Sequence, residues 1–231
     1  MGEKIKLHDF IEIEYTGKLA DGKVFDTTDE KIAKQHHLHS QNQKYRPAVI
    51  CVGERQVIPG LDLQLVDKEL EKEYTVTLPP EKAFGKRDIK LVRIMPMDLF
   101  RQHKVQPRPG LQVDVDGEMG LVTRVSGGRV MVNFNHPLAG KEVMYSYKIL
   151  RKVTDQKEKV TAFLSAVLRL PAEAMKIEVK DDAATVAIPG ELPAHISTVL
   201  AQKLVQLTGL KDILFKKEEA PVKETKKEQL V

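Results

Sequence analysis

The chain has 231 residues, enough for two or three domains, and at 42% hydrophobic residues it can build real cores. Its 37 lysines and arginines against 33 aspartates and glutamates leave a net charge of +4, and basic residues alternate with acidic ones, which argues against a nucleic-acid partner. No run approaches membrane-spanning length, the start Met1-Gly2-Glu3-Lys4 lacks the apolar core of a signal peptide, and the single Cys51 excludes an intramolecular disulfide framework; a cytoplasmic protein with no membrane partner is expected. Cys51 itself reads as a small strand residue, since no helix N-terminus or cationic cluster is placed to activate its thiol. There is no strong metal-ligand spacing, no G-x-S-x-G, no phosphate loop and no Cys/His pairing, so neither a metal nor a cofactor is expected.

In chain order, Ile11, Ile13 and Tyr15 alternate with Glu12 and Glu14, the period of a half-buried strand that Thr16-Gly17 ends. Asp21-Gly22 turns the chain into Lys23-Val24-Phe25-Asp26, which sets Tyr15 and Phe25-Asp26 on neighbouring strands. The stretch Thr27 to Pro47 exceeds a simple connection and holds a short helix near Asp29 to Lys34, capped from Thr28 or Asp29. His36, His37 and His39 follow it, but no second cluster completes a metal site and the segment reads as a solvated loop. A strand ends at Val52-Gly53, and Pro59-Gly60 opens a short helix with Leu61, Leu65 and Val66 on one side. Val57 and Ile58 then stand on the loop entering that helix. A β-branched pair there rims an apolar hollow, and the Ile58 N–H is free to bond a bound peptide's carbonyl.

Three separated motifs, Y-T-G-x-L-x-D-G-x-V-F-D from Tyr15, V-G-x-x-x-V-I-P-G-L from Val52 and A-F-G from Ala83, occur in order and with plausible spacing. Together they resemble the FKBP family of peptidyl-prolyl cis/trans isomerases. The resemblance implies an α+β fold, a half-barrel of antiparallel strands around a short helix. It further implies a shallow catalytic pocket lined by Tyr15, Phe25, Asp26, Val57, Ile58, Leu61, Phe84 and Tyr145. Leu61 stands where many members have tryptophan, Phe84 where many have tyrosine, and Tyr145 where phenylalanine is usual, so its added hydroxyl needs a partner if buried. Proline-containing or unfolded polypeptides are the implied partners. Rotation about an X-Pro bond breaks amide resonance at a cost of roughly 18–20 kcal/mol, and the twisted amide has less charge separation than the planar one, so an apolar pocket favours it without a nucleophile or general base. Asp26 is expected to accept from the Tyr15 hydroxyl and orient the wall. The departures at Leu61 and Phe84 leave open an alternative, a holdase with weak or no isomerase activity.

The resemblance breaks off after Gly85 and resumes at Asn135-His136-Pro137-Leu138-Ala139-Gly140-Lys141, followed by alternating Val143, Tyr145, Tyr147 and Ile149 as a last barrel strand. Between them Pro96 to Phe100 reads as a short helix, and Val113/Val115, Leu121/Val122/Val125 and Val130/Val132/Phe134 read as strands joined at Gly117 and Gly127-Gly128. This stretch resembles the insert-in-flap domain of SlyD-type isomerases. Met95, Met97, Leu99, Phe100 and Met119 are expected there as exposed apolar side chains that bind unfolded chains promiscuously.

Beyond the barrel strand, Val160, Phe163, Leu164, Val167 and Leu168 follow the spacing of an amphipathic helix that Pro171 ends. Met175, Ile177 and Val179 alternate, Asp181-Asp182 turns, and Ala184, Val186 and Ile188 alternate again. Ile196, Val199, Leu200, Leu204 and Leu207 form a second helix stripe stopped by Gly209, before a short strand from Asp212 to Phe215. So small an α-β-β-α-β module buries only a modest core, which predicts a homodimer through it; the resemblance extends here to the long archaeal FKBPs, in which this module pairs two subunits. The expected organisation is 1–86 with 134–153 as the isomerase domain, 87–133 as the insert, 155–215 as the dimerisation-type domain, and a disordered Lys/Glu-rich tail at 216–231. SlyD's histidine-rich end binds nickel; this tail has no histidine, and no nickel-storage role is expected. Every expected pocket residue precedes Val153, so truncation there is expected to spare peptide activity.

Overall fold

The computed structural model describes residues 3–40 and 45–217. The expected tail therefore lies outside the described residues, apart from Lys216 and Lys217, which continue the final strand. Among the described residues no helix is long and apolar enough to cross a membrane.

The central unit is a five-stranded antiparallel sheet. Its strands are β1 (Phe10–Leu19), β2 (Val24–Thr27), β3 (Ala48–Cys51), β4 (Glu73–Leu78) and, far along the chain, β9 (Val143–Lys152). They lie in the order β2-β1-β9-β4, with β3 on the same edge of β1 as β2. The alternation read from the sequence sets the faces: Ile11, Ile13, Val143, Tyr145, Tyr147 and Ile149 are all buried, and they pack with Leu61 and Leu65 in one core. Leu61 comes from helix α2 (Pro59–Gln64) and Leu65 from its C-cap; α1 (Glu30–Gln35) precedes it in the long connection. The Asp29 side chain caps α1 by accepting from the N–H groups of Lys31 and Ile32. Proline at the first position starts α2, and Gly60 lets it approach closely: a Cβ there would sit 2.6 Å from the Lys82 carbonyl oxygen.

Between β4 and β9 the chain leaves to build a separate sheet of β5 (Val92–Pro96), β6 (Gln112–Val115), β7 (Glu118–Ser126) and β8 (Arg129–Asn133), ordered β5-β8-β7-β6, with helix α3 (Met97–Gln102). The sequence reading named neither β4 nor β5. This unit has its own small core of Phe100, Val113, Val122, Val130 and Val132. Asn135 closes its base, accepting from the Asp88 N–H and donating to the Asp88 carbonyl, both at 2.8 Å.

The last segment forms α4 (Gln156–Leu168), β10 (Lys176–Lys180), β11 (Ala183–Ile188), α5 (Ala194–Thr208) and β12 (Asp212–Lys217). β10 pairs antiparallel and β12 parallel with β11, the latter after a helical crossover. Its core does not close on itself. Phe10, Cys51 and Val153 of the barrel are buried in the same cluster as Val160, Phe163, Leu164 and Leu204, and α4 lies against β3. Part of the apolar surface expected to be left over is thus covered by the barrel.

Candidate active site

The pocket is built where β1, β2, the loop into α2, the segment after β4 and β9 converge. Tyr15, Asp26, Val57, Ile58, Leu61, Phe84 and Tyr145 line one cavity of about 340 Å³, with Leu61 fully buried. Phe25 stands behind them as a buttress. Its ring meets Phe84 and Tyr145 edge-on, with centroids 5.6 and 5.7 Å away, and Tyr145 in turn leans on Tyr15 at 5.8 Å. The register explains the convergence: Gly17 pairs with Asp26 on one side and Tyr145 on the other. Glycine is required there because a Cβ would lie 2.8 Å from the Phe25 ring and 3.0 Å from that of Tyr145.

Burial raises the affinity of the Asp26 carboxyl for its proton, opposed by hydrogen bonds from the Thr27 backbone and the Tyr15 hydroxyl. Burial and the same carboxylate push the Tyr15 phenol above its ordinary range, and burial does so for Tyr145. Both phenols are thereby held in their protonated form, which suits a wall rather than an acid–base pair. The Tyr145 hydroxyl has no protein partner among the described residues, nor does the Ile58 N–H at the start of α2. Tyr145 is only 2% exposed, so its removal to alanine would disturb the barrel as well as the pocket.

Three supports escaped the sequence reading. Gln56 lines the cavity beside Val57, and its Oε1 accepts from the Cys51 N–H at 2.7 Å. His136, just past the insert, stacks face to face on Phe84 with centroids 4.7 Å apart. The loop carrying Gln56 is held twice: buried Asp62 accepts from the N–H groups of Gly53 and Arg55, and Glu54 pairs with His8 at 3.2 Å and with Lys203 of α5 at 2.7 Å. The proximity of Asn-His-x-Leu to the end of the insert was the available signal for His136; the others are long-range. Cys51 lies buried on β3, its thiol pushed up to about 12 by burial and by Glu54. Of the histidine run, His39 stacks on Tyr45 and lies 3.7 Å from Glu30, and no metal-holding group of three side chains occurs among the described residues.

The family profile described as FKBP-type peptidyl-prolyl cis-trans isomerase matches residues 2–99, and the one described as FKBP26, IF domain matches 93–138. A short-type peptidyl-prolyl cis-trans isomerase of Methanocaldococcus jannaschii is 33% identical over 145 residues, which span 63% of this chain and 92% of that protein. The chain belongs to the FKBP-type peptidyl-prolyl cis-trans isomerases. Its FKBP relatives also include SlyD of Treponema pallidum, 29% identical over 151 residues, 63% of this chain and 77% of that one. The FKBP-type 16 kDa isomerase of Escherichia coli is 26% identical over 155 residues, 65% of this chain and 95% of that one.

The exposure expected of the insert's apolar residues needs correction. Phe100 is 5% exposed and anchors the insert's core, and Met95, Met97 and Leu99 are half-buried against it; only Met119, at 60%, is an exposed side chain. The reason is the helix α3, whose apolar face must cover a sheet with few other large residues. Met95, Leu99 and Phe100 instead wall a cavity of about 550 Å³ between α3 and β6. Exposed apolar side chains lie on the sheet's other face: Ile94, Met119 and Leu121, with Met131 paired opposite Ile94.

Proposed function

We propose that the protein isomerises X-Pro bonds in unfolded polypeptides and holds those polypeptides on its inserted domain while doing so. The catalytic half rests on the cavity itself, an apolar hollow with one free N–H at its rim. A client's proline ring enters over Leu61, between Phe84 and Tyr145, while the Ile58 N–H accepts the role of donor to a client carbonyl. Water is excluded on the side of the rings, and the less polar twisted amide gains relative to the planar one. Tyr15 and Asp26 fix each other and stiffen the wall.

The chaperone half takes residues 87–133 as a SlyD-like insert-in-flap domain. What supports it is the exposed row of Ile94, Met119 and Leu121 and the cavity walled by Met95, Leu99 and Phe100. Methionine-rich surfaces repack against many sequences. The His136–Phe84 stack joins the base of this domain to the catalytic pocket. The long form of the family is the fitting assignment, with residues 155–215 pairing two copies in a cytoplasmic homodimer. Val167, Ile196, Val199 and Leu214, 38–62% exposed, supply the apolar surface for it.

Proline-limited refolding of a reduced protein, assayed beside suppression of its aggregation, tests both halves. Acceleration of both tetrapeptide and protein isomerisation is expected. Suppressed aggregation without any isomerisation would favour the holdase reading instead, with Leu61 and Phe84 as the residues responsible.

A further inference from the structure

Gln56 belongs to two hollows. It closes the catalytic cavity on one side, and on the other it lines a groove of about 710 Å³ between the edge strand β3 and helix α4. The banks of that groove are small or apolar: Pro47, Ala48 and Val49 on the strand side, Ala162 and Ala166 on the helix. Its charges, among them Arg46, Lys157 and Glu158, are mixed in sign and favour no charged ligand.

The groove also carries hydrogen-bonding groups without partners. Val52 donates to the Asp9 carbonyl, which turns Ile50 and Ala48 toward β1 and leaves the main-chain groups of Val49 and Cys51 facing outward. Gln56 occupies the outward position at Cys51 with its side-chain carbonyl, as a neighbouring strand would. Its own Nε2 is then buried with no acceptor, and so is the Ser165 Oγ on the facing helix. Buried donors left in this way cost stability unless something supplies an acceptor.

We infer that this groove receives the extended polypeptide chain that flanks the client's proline, running from the catalytic cavity past Gln56 and along the free edge of β3. An extended backbone offers carbonyls to Gln56 Nε2 and Ser165 Oγ and both donor and acceptor to Val49, the pattern of strand addition at a sheet edge. Continuity with the catalytic cavity singles out this occupant. The inference rests on the isomerase reading, and it assigns the C-terminal module a part in substrate binding.

The test compares a proline tetrapeptide with the same peptide extended by six residues on its N-terminal or its C-terminal side, using the full-length protein and the variant Ala166→Trp. Ala166 is exposed on α4 and outside every core, so the tryptophan fills the groove without displacing a core side chain. Turnover of the tetrapeptide is expected to stay unchanged, while kcat/KM for one extended peptide falls about fivefold for each main-chain hydrogen bond forfeited. Fluorescence anisotropy of the labelled extended peptide should show a matching rise in Kd. Equal kcat/KM and Kd for wild type and variant on both extended peptides would overturn the groove while leaving the isomerase intact. Absence of tetrapeptide turnover in the wild type would instead remove the isomerase reading, and the anisotropy comparison would still decide the groove. If Ala166→Trp loses tetrapeptide turnover, Ala172→Trp on the groove's far end takes its place.

Discussion

The two modules added to this barrel are attached in opposite ways. The insert keeps a core of its own and touches the barrel at its base, through the Asn135–Asp88 clasp. The C-terminal module shares its core with the barrel, taking in Phe10, Cys51 and Val153, and it reaches the pocket rim through Lys203. Removing the first is a local cut; removing the second opens a core. Chain order hides this, because both modules join the barrel through the same strand, β9.

Truncation after Val153 is the most severe test of the comparison. Stripping the cover from Phe10 and Val153, beside Cys51, should cost about 3–6 kcal/mol, at roughly 1.5–3 kcal/mol for each of these two large side chains re-exposed, a large part of a typical domain's stability. This revises the expectation that a truncated isomerase survives intact. Urea denaturation of residues 1–153 against the full chain would show it, and an unchanged midpoint would mean that the module merely rests on the barrel. On β9 itself, Tyr145→Ala should destabilise by about 3–5 kcal/mol, whereas Tyr145→Phe, which removes a hydroxyl with no partner, should leave both stability and peptide turnover within about twofold. Thermal melts with a tetrapeptide assay separate the two variants.

Replacing residues 87–133 by a short loop should leave the barrel's urea midpoint and tetrapeptide turnover nearly unchanged. Activity on an unfolded protein should fall by at least about tenfold as the tethering surface disappears. Comparable losses on both substrates would show that the insert shapes the pocket through His136 and Phe84. A finer probe is Lys203→Met, which breaks the Glu54 contact and should raise KM for peptides with about 1 kcal/mol or less of lost stability, restored by Lys203→Arg.

The smallest expected effect concerns Asp26. Its folded-state proton affinity is raised, so the unfolded chain loses this proton first as pH increases, and ionisation lowers stability from about pH 4 upward until the folded carboxyl has also ionised. Asp26→Asn should therefore be equal to wild type in stability near pH 3.5 and slightly more stable at pH 7, while turnover declines because the Tyr15 hydroxyl loses a charged acceptor. Urea midpoints at the two pH values check the sign; a variant less stable at pH 7 would mean that the Tyr15 and Thr27 hydrogen bonds outweigh burial.

The sequence by itself determined the local features. Alternation placed Ile11, Ile13, Tyr145, Tyr147 and Ile149 on buried faces, Asp-Gly and Pro-Gly fixed turns and helix starts, and motif order assembled seven lining residues and the Phe25 buttress. Such signals are short-range, set by backbone sterics and side-chain period. Only the tertiary structure decided which apolar stripe faces what. Phe100 went into a core because α3 covers its sheet, Phe10 and Cys51 were buried by a helix encoded far downstream, and Gln56, His136 and Lys203 became supports of the pocket through contacts with no sequence period. An apolar side chain records that it will be buried, but its partner is chosen by packing, which depends on the whole chain at once.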